Sequence, residues 1–115
     1  MIKNIVSARM TTKVPIVRPE FTVAELEQLL LRHTKDFETI NYIYLTNELG
    51  KLCGVVSVKE VFRSPKSEVL SNIMQANVIS VSPLAPQEQA VVLALRHNLK
   101  ALPVVDEANK LVGVL

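Results

Sequence analysis

Tryptophan is absent, and the remaining aromatics amount to two Tyr and three Phe. A core built from this chain is therefore aliphatic, made of Val, Leu, Ile and Ala. Nucleic-acid binders usually combine a basic stripe with aromatic platforms. Here the net charge is only +2 and is spread along the chain, so that class is set aside. Three glycines leave no Gly-rich phosphate loop. The single cysteine, Cys53, cannot form an internal disulfide, which fits a reducing compartment. No apolar run approaches the roughly 20 residues needed to span a bilayer. The first six residues carry one Lys and too short an apolar stretch for a secretory signal. The chain as it stands reads as soluble.

What is present is a domain's worth of apolar material. Hydrophobic residues make up 49% of the 115 residues and charged residues 21%, which suits one folded domain with a real core. An internal repeat organises it. Displaced by 64 positions, residues 10–33 match residues 74–97 at eight places, among them Met10 with Met74, Val17 with Val81, Arg32 with Arg96 and His33 with His97. About two matches are expected by chance from such a composition. Further on the offset falls to 59, pairing Gly54 with Gly113 and Lys51 with Lys110. The first copy thus carries five extra residues within His33–Asn41. Two copies are too few for a solenoid and suit a pseudo-two-fold domain.

Each copy has the same order of elements. Lys13–Val17 is β-branched and reads as a strand. Thr22 and Glu25 form a capping box ahead of a helix whose Val23, Leu26, Leu29 and Leu30 share a face. His33 falls near the helix end, where positive charge is tolerated. Ile40–Thr46 and Leu52–Ser57 read as strands around a turn at Gly50, and Val58–Arg63 as a short helix stopped by Ser64-Pro65. In the second copy Val78–Val81 reads as a strand. Pro86 fits the first helical position of a helix running to about Asn98. Leu102–Val105 and Leu111–Leu115 are further strands. Ser67–Met74 reads as a short linking helix.

This β-α-β-β-α order, twice, resembles the CBS-domain pair, or Bateman module. Ala101-Leu102-Pro103-Val104-Val105-Asp106 followed by Lys110–Val114 is similar to the family's Pro-bearing strand, acidic turn and Gly-containing strand. Ile43–Asn47 and Lys51–Val56 are the counterpart in the first copy. The segments Glu38–Leu45 and Gly54–Glu60 further resemble the cytosolic CBS region of MgtE-type magnesium transporters, which have a similar insertion in the first copy. The fold class expected is α/β: tandem β-α-β-β-α CBS repeats with pseudo-two-fold symmetry, the second repeat truncated. The expected layout is one CBS-pair domain over 1–115, with repeats at 10–64 and 74–115, the latter incomplete.

The resemblance also implies a site. In the family, Gly-x-x-Ser/Thr-x-x-Asp contacts an adenine nucleotide. Here it reads Gly54-Val55-Val56-Ser57-Val58-Lys59-Glu60. A carboxylate at Glu60 can accept both hydroxyls of a ribose. The Ser57 hydroxyl and helix amides can hold phosphate oxygens, and Lys59 supplies a point charge. Glu60 departs from the usual Asp by one methylene, which moves the acceptor by ~1 Å. Tyr42 would lie against the adenine, and the backbone near Val14 and Pro15 would complete the pocket. Two plainer readings stay open. Ser57 caps a helix while Lys59 and Glu60 are surface charges, and Tyr42 is a core ring with a wet hydroxyl.

The same family senses magnesium through cytosolic carboxylates. Its acidic positions around the second copy's first helix align with Pro86, Glu88 and Asn98, so Glu88 alone keeps a carboxylate. A zinc site needs about four convergent ligands; His33 and His97, one per copy, read as repeat symmetry. Cys53 reads as a small core residue. No nucleophile–base pair or metal triad supports an enzyme. The expected function is a regulatory, ligand-sensing module that gates a magnesium transporter. It would be a homodimer on the cytoplasmic side of an inner membrane, joined to a transmembrane transporter domain. Its ligands would be ATP or AMP and Mg²⁺, with no required cofactor and no nucleic acid. The rival reading is a free-standing CBS protein sensing adenine nucleotides.

Overall fold

A computed structural model describes residues 4–38 and 40–115; Met1–Lys3, in the amino-terminal stretch, and Thr39, in the Glu38–Leu45 segment, lie outside them. The chain divides into two units, Lys13–Val78, and Ile79–Leu115 together with the segment ending at Thr12.

In the Lys13–Val78 unit, strand β1 (Ile16–Val17) leads into helix α1 (Val23–Arg32), then β2 (Tyr42–Thr46), β3 (Leu52–Ser57) and helix α2 (Val58–Arg63). The sheet order is β1-β2-β3, with β1 parallel to β2 and β2 antiparallel to β3. A parallel pair needs a crossover, and α1 supplies it. The expected capping box is present. Thr22 accepts from the Glu25 amide at 3.2 Å, and the Thr22 amide donates to the Glu25 carboxylate at 2.9 Å. Val23 and Leu26 are buried with Val17, Ile43, Leu45, Val56, Val61 and Leu70, and Leu29 and Leu30 pack against this cluster.

The second unit holds helix α3 (Gln87–His97) and strands β4 (Pro103–Val105) and β5 (Leu111–Val114), which pair antiparallel. Its core is Val6, Val81, Ala85, Ala90, Leu102 and Val104. Each unit repeats the other's pairing order. Gln75 bridges Val55 of β3, as Thr11 bridges Val114 of β5. Val81 bridges Val104 of β4, in the place where β1 pairs with β2. The hairpin turns also correspond. Asn47 Oδ1 accepts from the amides of Leu49 and Lys51, and Asp106 Oδ1 from those of Ala108 and Lys110. The left-handed position is Gly50 in one (φ 78°) and Asn109 in the other (φ 65°), residues that tolerate it.

Several sequence expectations change. Val78–Val81 contributes a single bridge rather than a strand, because only Val81 exchanges backbone bonds, with Pro103 and Val105, before Pro83 removes a donor. Ser67–Met74 is not a linking helix; only Leu70–Asn72 forms a 3-10 turn. The backbone just before it is engaged elsewhere. Lys66 and Glu68 carbonyls accept from the amides of Ala24 and Val23, satisfying two of the orphan donors at the start of α1. Pro86 is the extended residue before α3 rather than its first turn. The strands read as Lys13–Val17 and Ile40–Thr46 shorten to Ile16–Val17 and Tyr42–Thr46.

Candidate functional site

Because β1 runs parallel to β2 and β3 runs back, the start of β1, the start of β2 and the end of β3 share one end of the sheet. Val14 and Pro15, Tyr42, and Ser57 therefore come together there. Tyr42 stands directly opposite Ser57 in the β2–β3 register. Val14 and Pro15 are buried, and the Pro15 carbonyl accepts from the Tyr44 amide at 3.0 Å.

Ser57 is the cap of α2. Its hydroxyl accepts from the Glu60 amide at 3.1 Å, which leaves the hydroxyl proton free to be donated. Lys59 is exposed in the first turn of α2. Glu60 is partly exposed and leans on Arg63, one turn on, at 3.9 Å. A pair this long and solvated contributes at most a few tenths of a kcal/mol, about 0.2–0.5 at i,i+3 helix spacing. It leaves the half-exposed carboxylate accessible to a ligand. Ser57 capping is thus observed, and it is compatible with a ligand at the same end.

Tyr44 was not singled out from the sequence. Period-two alternation along β2 sends Ile43 and Leu45 into the core and puts Tyr42 and Tyr44 together on the other face. Their rings meet edge to face, with centroids 6.4 Å apart at 62°. Tyr44 is 2% exposed, and its buried hydroxyl has no hydrogen-bond partner among the described residues. An unpaired buried hydroxyl costs about 1–3 kcal/mol. Burial, with Tyr42 adding to it, pushes the Tyr44 phenol above its usual range, so the group stays a neutral donor.

The other candidates are separate. Glu88 is exposed in the first turn of α3, and no group of three or more His, Cys, Asp or Glu that could hold a metal occurs among the described residues. His33 ends α1 and bonds Asp36 through Nδ1 at 2.8 Å. His97 is exposed near the end of α3. Cys53 lies on β3, partly buried, and packs against the core cluster, as a small core residue would. Its thiol donates to the Leu45 carbonyl at 3.2 Å, and burial pushes its pKa up, the nearby Glu20 adding to this. Such a thiol is protonated and packs rather than attacks. A shallow groove of about 310 Å³ runs along α1, lined by Phe21, Glu25, Gln28, Leu29, Arg32 and His33. Two of its polar groups are already engaged, Glu25 in the capping box and His33 with Asp36.

The CBS-domain family model matches residues 2–67 and 70–115. The chain is 36% identical over 106 residues to the magnesium transporter MgtE of Thermus thermophilus, and 33% identical over 106 residues to MgtE of Bacillus subtilis. Each match covers 92% of this chain and 24% of the relative, so the chain spans about a quarter of the length of these relatives. The structure of the cytosolic domain of the Mg²⁺ channel MgtE in complex with ATP superimposes with a TM-score of 0.96 at 34% identity, covering 98% of this chain and 46% of that one. No helix among the described residues is long and apolar enough to cross a membrane. With both repeats matched and the paired α/β units observed, the chain belongs to the CBS-domain family, as a CBS-domain pair similar to the cytosolic region of MgtE.

Proposed function

We propose that this CBS pair senses an adenine nucleotide and, through it, gates a magnesium transporter. The chain would form a homodimer at the cytoplasmic face of the inner membrane, attached to a transmembrane transporter domain. The observation that carries the reading is the TM-score of 0.96 against an MgtE cytosolic domain whose structure was solved with ATP. The site geometry supports it. Tyr42 offers a ring face, Ser57 a hydroxyl proton, Lys59 an exposed ammonium and Glu60 a half-exposed carboxylate, with the Val14–Pro15 backbone alongside. On this reading Glu60 takes the ribose hydroxyls and Lys59 the phosphates. Magnesium sensing at Glu88 would rest on one exposed carboxylate, with water filling most of the ion's coordination. No nucleophile or metal triad is needed. The module acts by population shift, and the ligand favours one arrangement of the dimer only as far as it binds that arrangement better.

Titration calorimetry with ATP, AMP and adenosine tests the reading. Glu60→Ala should weaken all three about tenfold or more, since a charge-assisted hydrogen bond contributes roughly 1.5–3 kcal/mol. Lys59→Ala should weaken ATP more than adenosine, because only phosphates feel its charge. No heat with any of the three at millimolar ligand would overturn nucleotide sensing. Binding without any effect on magnesium transport would favour the free-standing sensor.

A further inference from the structure

The face of the β1-β2-β3 sheet opposite the aliphatic core holds one buried side chain that packing alone does not account for. Tyr44 sits opposite Val55 and beside Ile16, apolar neighbours on both sides. A Phe would fill the same space with no hydroxyl to bury. The hydroxyl that is present has no partner among the described residues, and burial keeps it protonated. It is also not remote from the site, since the ring packs edge to face on Tyr42. Tyr42 and Ser57 face each other across β2 and β3, and Tyr44, two residues along β2, carries its ring on that same face of the sheet.

We propose that Tyr44 is a ligand-recognising residue. Its hydroxyl donates a hydrogen bond to an acceptor atom of the nucleoside seated against Tyr42. This rests on the nucleotide-sensing reading above. A buried neutral donor that desolvation has already stripped of water gives its hydrogen bond to a ligand without first losing one to solvent. It also discriminates, because a ligand with no acceptor at that point leaves the donor unpaired. Tyr42 and Tyr44 then divide the work. Tyr42 supplies a ring face, which accepts many bases, and Tyr44 supplies a directional donor, which does not.

The test is Tyr44→Phe, which keeps the ring, its packing on Tyr42 and its volume. Calorimetry with adenosine and with ATP should show both weakened by about five- to tenfold, as expected for one hydrogen bond to the nucleoside portion. The two losses should be equal, unlike the phosphate-selective loss from Lys59→Ala. The ligand-free variant should melt at or above the wild-type temperature, since an unsatisfied buried group has been removed. Affinity unchanged in Tyr44→Phe would overturn the assignment while leaving nucleotide sensing intact. A loss of affinity accompanied by a lower melting temperature would also overturn it, by showing that the hydroxyl supports the fold. Wild-type protein that binds neither adenosine nor ATP would overturn the sensing reading and this one with it.

Discussion

A Cβ placed on Gly54 would run into the sulfur of Met74, and one placed on Gly113 would stand 2.7 Å from the sulfur of Met10 and 3.2 Å from the Thr11 carbonyl oxygen. Glycine inside a strand ordinarily weakens it, by roughly 0.5–1 kcal/mol relative to Ala. Here the missing Cβ admits a thioether, and in both cases the methionine is the first residue of the other repeat. Gly54→Ala and Gly113→Ala should therefore destabilise, by about 1–3 kcal/mol each, as overpacking does. Gly113→Ala should cost more, since the Thr11 carbonyl is backbone and cannot swing aside as a side chain can. Thermal denaturation checks the order. A double change, Gly54→Ala with Met74→Ala, should show coupling, because one partner of the collision is gone. Both glycines and both methionines were visible as matched positions in the repeat. Their contact was not, because the two offsets, 64 and 59, pair each residue with its counterpart rather than with its neighbour in space.

At the scale of elements, local signals worked where the chain closes its own hydrogen bonds. The Thr22–Glu25 box starts α1, Ser57 starts α2, and β3 and α2 fall on the residues expected. They failed where tertiary pairing decides. Val78–Val81 is as β-branched as β1, yet only Val81 finds backbone partners. Residues 66–69 carry no mark that they will serve α1 as acceptors. The same division runs through the candidate site. Ser57, Lys59 and Glu60 lie in one short segment and were legible as a group. Tyr44 needed the register of β2 to place it beside Tyr42, and Arg63 needed the helical turn that brings it to Glu60. The capping box offers a clean measurement. Thr22→Ala removes the acceptor for the Glu25 amide and should cost about 1 kcal/mol. Thr22→Ser should recover most of it, because a hydroxyl returns to the same place. Equal urea midpoints for Thr22→Ala and wild type would mean that the Lys66 and Glu68 carbonyls alone hold the start of α1.

For the whole molecule, the exposed apolar residues pose the question that the core does not. Leu31 is 74% exposed and Leu95 77%, and the repeat makes them counterparts. Each follows by two residues a leucine that packs inward, Leu29 in one unit and Leu93 in the other. Val91 and Val92 on α3 are exposed at 55% and 49%. Both α1 and α3 thus carry apolar side chains beyond those their own cores use. Large apolar side chains left exposed at equivalent places in both repeats point to an interaction surface on each helix. A second copy is the partner that a repeated patch fits best, since a two-fold interface uses the same surface on both sides. Sedimentation at micromolar concentration should show a dimer. Leu31→Lys combined with Leu95→Lys should shift it toward monomer by tenfold or more, about 1.4 kcal/mol of association free energy. The melting temperature of the monomer should hardly change, because neither side chain is part of a core. Linkage then ties the dimer to the site. If nucleotide binding favours one arrangement of the dimer, ATP must change the dimer dissociation constant by the factor by which dimerisation changes ATP affinity. Measuring both on the same preparation, with and without saturating ATP, should return matching factors different from one. A factor of one in both would leave a dimer and a nucleotide site that do not communicate, and gating through this module would then need another ligand.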